Sequence, residues 1–371
     1  MDNLTVCNFN RIQLPAGTER VSSRKPYIEF GDDNLFPDFL IDIANRSALH
    51  NAIISSKVDY AFGNGLRIDE NGKESANLST RLFVSHPNEK ESLDEVYRKM
   101  LYDIIMFGGC SLNVIWAKDG EHISKVYHVP FDKIRSGKRD ERGNVNEYYY
   151  CDNWAQERKY GYKMIQSLDS NNRSGSQLVY WKDYRPGTFY YPLPSYVGAI
   201  NYIKVDSEIS NFHLSHLLNG MAPNFIISLN NGIPSEEEQK QIKKQFVEEF
   251  TGTDNAGKFI LSFSDSKDKA PDVTLLSSDN LDEQFIQLQA TVLQNILAGH
   301  KVVSPLLVGI KTEGQLGGAS ELDNAYRIYE ATVINKLRMN ALQVLNNLIV
   351  DTLGYTGAEL VATNNNIQFA E

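Results

Sequence analysis

The sequence predicts an α+β protein whose helices and strands are grouped along the chain. Three observations carry that reading. Apolar residues recur at three- and four-residue steps before residue 107 and again beyond residue 195. Between Cys110 and Trp181 the pattern changes to short runs separated by turn signals such as Asp119-Gly120 and Arg142-Gly143-Asn144. A second, smaller mixture of strand and helix, residues 222–276, interrupts two long helical patterns.

In chain order, residues 1–47 are turn-rich, with Pro15, Pro26 and Pro37, and read as an extended arm with little structure of its own; Tyr27-Ile28-Glu29-Phe30 is its one candidate edge strand. A helix follows over 47–62, with Ala52, Ile53, Val58 and Phe62 among its apolar positions, and stops at Gly63-Asn64-Gly65. Leu66-Arg67-Ile68 reads as a short strand. Gly63-x-Gly65 is no dinucleotide fingerprint, because it follows a helix and Ile68 occupies the third glycine position. A helix over 92–107 ends at Gly108-Gly109. Strands are expected at 111–117, 123–129, 145–150, 163–166 and 178–181, with Tyr148-Tyr149-Tyr150 alternating across one of them.

Pro192-Leu193-Pro194 opens a long helix over 195–218 that ends at Asn219-Gly220. His213 and His216 are three apart on it, but no third ligand accompanies them, so a polar pair at a helix interface is the better reading. The insert is expected to run strand 225–229, helix 235–250, strand 258–263 and strand 273–276. Its helix carries Glu236-Glu237-Glu238 at the start and Lys240, Lys243 and Lys244 further on, an order that suits the helix dipole. Next comes a helix over 281–298, capped by Asp279, with Leu281, Phe285, Leu288, Val292 and Ile296 on one face and Gln284, Gln287, Gln294 and Asn295 on the rest. A Gly-rich connector, 300–319, leads to the longest helix, 321–353, capped by Ser320 and about 50 Å long at 1.5 Å per residue. Residues 354–371, with Asn364-Asn365-Asn366, are expected to be a loosely ordered tail.

Composition narrows the function classes. The 371 residues suffice for two or three domains. No run of about 18 apolar residues is present, so a membrane partner is not expected. Cys7, Cys110 and Cys151 are widely separated and match no zinc spacing, and three cysteines suit a reducing compartment. No signal peptide is visible at the N-terminus. The net charge of −10 argues against a surface that grips nucleic acid throughout, though not against one that lets it slide past. Gly314-x-x-Gly317-Gly318 lacks the Lys-Ser or Lys-Thr of a phosphate-binding loop, and no Gly-x-Ser-x-Gly elbow occurs. No catalytic residue, metal or cofactor is therefore called for, and the chain reads as a structural protein rather than an enzyme.

Several phrases, in order, resemble a tailed-bacteriophage portal protein, the head-to-tail connector ring, in a short form. Val58-Asp59-Tyr60-Ala61-Phe62-Gly63-Asn64-Gly65-Leu66 looks like the family's first wing helix and its exit. Phe107-Gly108-Gly109-Cys110-Ser111-Leu112-Asn113-Val114 is similar to its glycine turn into the wing sheet. Phe189-Tyr190-Tyr191-Pro192-Leu193-Pro194-Ser195-Tyr196, and later Asn219-Gly220-Met221-Ala222-Pro223, resemble the start of the stem and the exit into the clip. Asn255-Ala256-Gly257-Lys258 and Val303-Ser304-Pro305-Leu306-Leu307-Val308-Gly309 are further family-like phrases. The likeness covers about residues 48–353. Two departures are visible: little chain remains for a crown, and Tyr191 stands where many relatives carry Gly.

The resemblance implies a β-rich wing at 48–190, stem helices at 191–221 and 277–299 flanking an α/β clip at 222–276, a tunnel loop at 300–320 and a long helix at 321–353. It implies a ring, typically of 12 copies, at one capsid vertex of a virion assembled in the host bacterial cytoplasm. Double-stranded DNA would pass through without sequence readout. The large terminase motor, a head–tail adaptor and the major capsid and scaffold proteins would be partners. By position, Lys311, Thr312, Glu313, Gln315, Gly317 and Gly318 would face the DNA, with Leu306, Leu307 and Val308 anchoring the loop on the protein. Gln284, Gln287, Gln294 and Lys301 are candidates for the bore-facing stem, and Lys240, Lys243 and Lys244 for the partner face of the clip. Two alternatives stand beside this. One is a ring-forming adaptor for head completion or tail connection without DNA passage, which a measured bore would separate. The other is a nucleic-acid-processing enzyme, which a nuclease or ATPase assay would separate.

Overall fold

The computed structural model describes residues 14–69, 78–218, 226–229, 234–250, 260–263, 281–311, 319–353 and 359–363. Its elements in order are β1 (Glu19–Val21), β2 (Ile28–Phe30), α1 (Phe36–Arg46), α2 (Ala48–Phe62), β3 (Leu66–Asp69), α3 (Leu78–Ser85) and α4 (Leu93–Phe107). Then come β4 (Gly109–Trp116), β5 (Ile123–Val129), β6 (Ile134–Ser136), β7 (Glu147–Tyr150), α5 (Glu157–Tyr160), β8 (Lys163–Ser167) and β9 (Ser176–Lys182). The rest is α6 (Ile200–Leu218), β10 (Ile226–Leu229), α7 (Glu236–Phe250), β11 (Ile260–Phe263), α8 (Leu281–Gly299), α9 (Ala319–Tyr329), α10 (Asn335–Leu353) and β12 (Glu359–Ala362). The chain divides into two compact units, residues 1–203 with 293–371, and residues 204–292.

In the larger unit, β4–β9 form one six-stranded sheet in the order β5-β4-β9-β8-β7-β6. All of its neighbours are antiparallel except β8 and β9, which run parallel. The alternation expected of the three tyrosines is present. Tyr148 packs with Ile134 and Leu178, while Tyr149 packs with Tyr27, Cys151 and Trp154. Successive side chains of a strand point to opposite faces, so one tyrosine serves each layer.

Two sequence expectations are corrected here. Residues 14–47 are not an extended arm. β1 and β2 pair, α1 follows, and Tyr27, Ile28, Phe30, Phe36, Leu40 and Ile43 are buried. The Phe30 ring stacks on Tyr191 at 4.1 Å. Asn34, at φ 64°, accepts from the Phe30 amide and from the buried Arg135. Arg135 also donates to the carbonyls of Asn34, Asp132 and Ile134 and lies 4.8 Å from the Trp154 ring centroid. The proline punctuation concealed a segment whose apolar spacing pays off only against the sheet. Nor is the C-terminal segment loose throughout, since β12 pairs antiparallel with β3. A Cβ on Gly63 would stand 2.1 Å from the Thr363 carbonyl oxygen, so the glycine that ends α2 also leaves room for the returning chain.

The helices of this unit follow their sequence signals closely. Ser47 caps α2 through the His50 amide. Ser92 and Glu95 form a reciprocal capping box on α4, which ends at left-handed Gly108. The helical stretch expected over 321–353 begins earlier, at Ala319, so Ser320 lies inside it and is not its cap. It is also not uniform, because a π turn at Glu330–Ile334 separates α9 from α10. Tyr326, Tyr329, Ile334, Ala341, Val344 and Leu348 are buried along it.

The smaller unit contains a β–α–β arrangement. β10 and β11 pair in parallel, Ile226 opposite Ile260, and a parallel pair needs a crossover, which here contains α7. Ser235 and Glu238 form the capping box of α7. The strand expected at 273–276 and the Asp279 cap lie outside the described residues. The helix expected from 195 starts later: residues Val197–Ala199 make a 3-10 turn and α6 begins at Ile200. Tyr196 holds that turn in place by donating to the Met106 carbonyl at 2.7 Å. Among the described residues no helix is long and apolar enough to cross a membrane.

Candidate functional site

Within the larger unit, several polar contacts anchor the segment after α8. Ile296 and Leu297 are buried at the end of α8, and His300 is buried immediately after it. The backbone turns through Lys301, which takes a positive φ of 57°. Pro305–Val308 form a 3-10 turn closed by left-handed Gly309. Leu307 and Val308 are buried, and Tyr60 of α2 donates to the Leu307 carbonyl at 2.9 Å. Leu306 is half-buried beside them. The expected anchoring of this stretch on the protein is therefore present.

His300 sits in a polar cluster that periodicity gave no hint of. His50 Nδ1 is 2.8 Å from His300 Nε2, and Lys57 Nζ is 3.3 Å from His300 Nδ1. The Tyr196 ring stacks on His300 at 4.7 Å and meets His50 edge-on at 4.5 Å. If the Lys57 ammonium donates to His300 Nδ1, then His300 Nε2 carries the proton and donates to His50 Nδ1. His50 then carries its proton on Nε2, which is buried and has no hydrogen-bond partner among the described residues. Burial is the main force on these groups. It pushes His50 down to about 3, with Lys57 adding to the effect, and holds His300 well below the ordinary imidazole range. It lowers Lys57 to about 7, assisted by Lys301.

This cluster joins α2 to the start of α6 and the end of α8. A close approach between the last two completes the joint: a Cβ on Gly299 would stand 2.4 Å from the Ala199 Cβ. On the other side of α2, buried Arg338 of α10 donates to the carbonyls of Tyr60 and Ala61 at 2.6 and 3.1 Å. These carbonyls belong to the last turn of α2, which ordinarily lacks intrahelical donors. Arg338 also pairs with Glu330, in the π turn, at 3.0 Å. The site is thus a set of rigid fixings at the roots of several helices. Among the described residues no group of histidine, cysteine, aspartate or glutamate could hold a metal ion.

The residues expected to act are placed unevenly. Lys311 and Lys301 are exposed, whereas Thr312, Glu313, Gln315, Gly317 and Gly318 lie outside the described residues. Gln287 and Gln294 are exposed on α8; Gln284 is helical, but its side chain lies outside the description. Lys240 and Lys244 are exposed on α7, and Lys243 is helical with its side chain likewise outside the description. Within the smaller unit, His213 Nε2 lies 3.3 Å from Gln289 Nε2 of α8, in keeping with a polar contact between helices. The single apolar face expected of α8 is only partly covered: Val292 and Ile296 are buried, but Leu288 and neighbouring Ile286 are exposed.

The architecture has clear counterparts. A chain in the neck of an empty GTA particle superposes with a TM-score of 0.60 at 14% identity, covering 88% of this chain and 84% of that one. A chain from the virion of a native gene transfer agent particle gives 0.59 at 14% identity, with 88% and 83% covered. At such identity the likeness establishes the fold alone. Among curated proteins, an uncharacterized protein of Rickettsia bellii (strain RML369-C) is 23% identical over 279 residues, 75% of this chain and 67% of that protein. Another from Rickettsia felis (strain ATCC VR-1525 / URRWXCal2) is also 23% identical, covering 74% of this chain and 66% of its own length. The model of the phage portal protein family matches residues 64–356, and the chain belongs to that family. Portal proteins are structural capsid components, not enzymes.

Proposed function

We propose that copies of this chain close into a ring, of 12 subunits, at one vertex of a virion, and that double-stranded DNA passes through its centre during packaging and ejection. The family match over residues 64–356 carries the reading. The twelve-fold symmetry applied to the neck of a native GTA particle, whose chain shares this fold at a TM-score of 0.57, supports the subunit number. Within the ring, α6 and α8 are the stem helices, 222–276 the clip, 300–320 the tunnel loop and α9–α10 the helix behind it. Identical subunits related by rotation meet through a repeated head-to-tail contact that closes.

The bore must pass DNA without holding it, because each phosphate contact is multiplied by the number of subunits. The net charge of −10 suits that requirement. Lys311 and Lys301 are exposed cations at the loop, with Thr312, Glu313, Gln315, Gly317 and Gly318 completing its DNA-facing part and Gln284, Gln287 and Gln294 lining the stem. Lys240, Lys243 and Lys244 form a docking face for the terminase motor and a head–tail adaptor, while the wing meets capsid and scaffold proteins. Assembly takes place in the bacterial cytoplasm. Electron-microscope class averages of the purified protein test the central point. Rings with a bore wider than duplex DNA, about 20 Å, are expected; closed rings with a narrower bore would point to an adaptor instead. Replacing Gly317 and Gly318 by Val should leave rings intact and slow packaging. An unchanged packaging rate in that variant would remove the assignment of these two glycines to the DNA-facing loop.

A further inference from the structure

A cavity of about 360 Å³ lies beside the buried cluster, between α2, α4, the chain at 183–195, the turn after α8 and the start of α10. Its wall carries four cationic side chains, Lys57, Lys301, Lys336 and Arg185, but a single carboxylate, Asp183. That carboxylate already lies 3.5 Å from Lys336. Arg185 uses one Nη1 donor on the Pro194 carbonyl, which leaves further guanidinium donors. Lys57 is the decisive group, because it is 2% exposed and pairs with no carboxylate among the described residues. Isolated buried ammonium groups are costly unless a counter-charge accompanies them. Excess positive charge around a concave space of this size is the arrangement that holds a compact anion.

We propose that this cavity binds a multiply charged oxyanion of the phosphate class, held by Lys57 at its base and by Lys301, Lys336 and Arg185 around it. The site is separate from the loop and stem residues assigned to DNA passage, apart from Lys301, and it does not depend on ring formation. The anion supplies the counter-charge that Lys57 lacks. Lys57 is faced by His50 and His300 from the cluster, and by Lys301, Lys336, Arg185 and Asp183 around the cavity. The histidines remain neutral in the folded protein, so Lys57 is the group that changes charge in the neutral range, near pH 7. Anion binding therefore draws a proton onto Lys57, and affinity falls as pH rises above that point.

Isothermal titration calorimetry and thermal melting of the full-length chain, at constant ionic strength, test this. Sulfate is the probe for the pH series, since it stays divalent throughout; inorganic phosphate, pyrophosphate and acetate are compared at one pH. The expected results are saturable sulfate and phosphate binding, weaker acetate binding, and affinity that drops about tenfold per pH unit above the Lys57 transition. Binding should be lost in Lys57→Met and weakened about three- to tenfold in Lys301→Gln and Lys336→Gln. The last two substitutions are on exposed side chains and keep the test valid if Lys57→Met does not fold. A short DNA duplex added to the phosphate complex separates the sources. Displacement assigns the site to backbone phosphate, and no displacement assigns it to a free anion. Absence of saturable binding, or binding unchanged in Lys301→Gln and Lys336→Gln, would overturn the proposal.

Discussion

The two ends of the helices α6 and α8 behave oppositely. At their roots, Ile200, Ile203, Ile296 and Leu297 are buried, and Tyr196 and His300 pack on each other. Further along, Leu214 of α6 is 57% exposed, Ile286 of α8 is 66% exposed, and Leu288 is exposed as well. The same helical periodicity thus produces a packed face at one end and an uncovered one at the other. The difference shows that the roots are packed within the larger unit, whereas the outer faces carry apolar side chains that the described residues leave exposed. On the ring reading, neighbouring copies cover them, as apolar area removed from water stabilises association by about 25 cal/mol per Å².

That contrast can be broken at several points. The largest loss of stability is expected for Arg338→Ala, at about 3–5 kcal/mol by urea unfolding, because it removes a buried charge partner of Glu330 and the side-chain donor to the Tyr60 carbonyl, and leaves the Ala61 carbonyl only the longer bond from the Tyr97 hydroxyl. If the midpoint barely moved, the roots would not be as strongly fixed as their geometry indicates.

The pH dependence of stability comes next. The folded-state pKa of Lys57 is depressed to about 7, and unfolded lysine titrates near 10.4. Between these values the unfolded chain binds the extra proton, so stability rises with pH, by an amount on the order of a few kcal/mol. Lys57→Met should remove that rise and increase stability at and below pH 7. Below about pH 6.5 the unfolded forms of His50 and His300 gain protons that the folded protein resists, so stability falls toward acid, for His50 down to about pH 3. Denaturation curves across pH 5–10 in anion-poor buffer would test both limbs. A flat profile in the wild type would remove the buried-cation description of Lys57.

Gly299→Ala should cost roughly 1–3 kcal/mol, because the new methyl group meets Ala199 at 2.4 Å where α8 approaches the start of α6. A neutral melting temperature would mean that the two segments separate cheaply. At the outer faces the stability effect should nearly vanish. Leu214→Ser with Ile286→Ser is expected to change unfolding of the isolated chain by no more than about 0.5 kcal/mol, yet to reduce ring assembly strongly in native mass measurements. Rings formed as readily as by the wild type would exclude these positions from the subunit contact. Smallest of all is the charge reversal of Lys240, Lys243 and Lys244 to Glu, which should leave stability and rings unchanged while weakening a docked partner. Loss of the ring in that variant would instead place this face in the subunit interface.

The sequence by itself determined the order of the longer elements and several of their ends, because those depend on near neighbours, but it did not show α1, α3, β6 or β12. Ser47, Ser92 and Ser235 cap helices through amides three positions away, and Gly63 and Gly108 stop helices that would otherwise continue. Alternation alone placed Tyr148 and Tyr149 on opposite faces. Family-like phrases, read in order, determined the portal reading. What only the tertiary structure decided depends on groups distant in the chain. Residues 14–47 gain structure because the sheet and Arg135 provide their partners, and β12 forms because Gly63 leaves room for a segment 300 positions later. The π turn within the long helix and the meeting of His50, Lys57, Tyr196 and His300 follow from the packing of three helices on one another. A lone histidine or lysine carries no periodic signal, and its charge state is set by burial and by neighbours that chain order does not reveal.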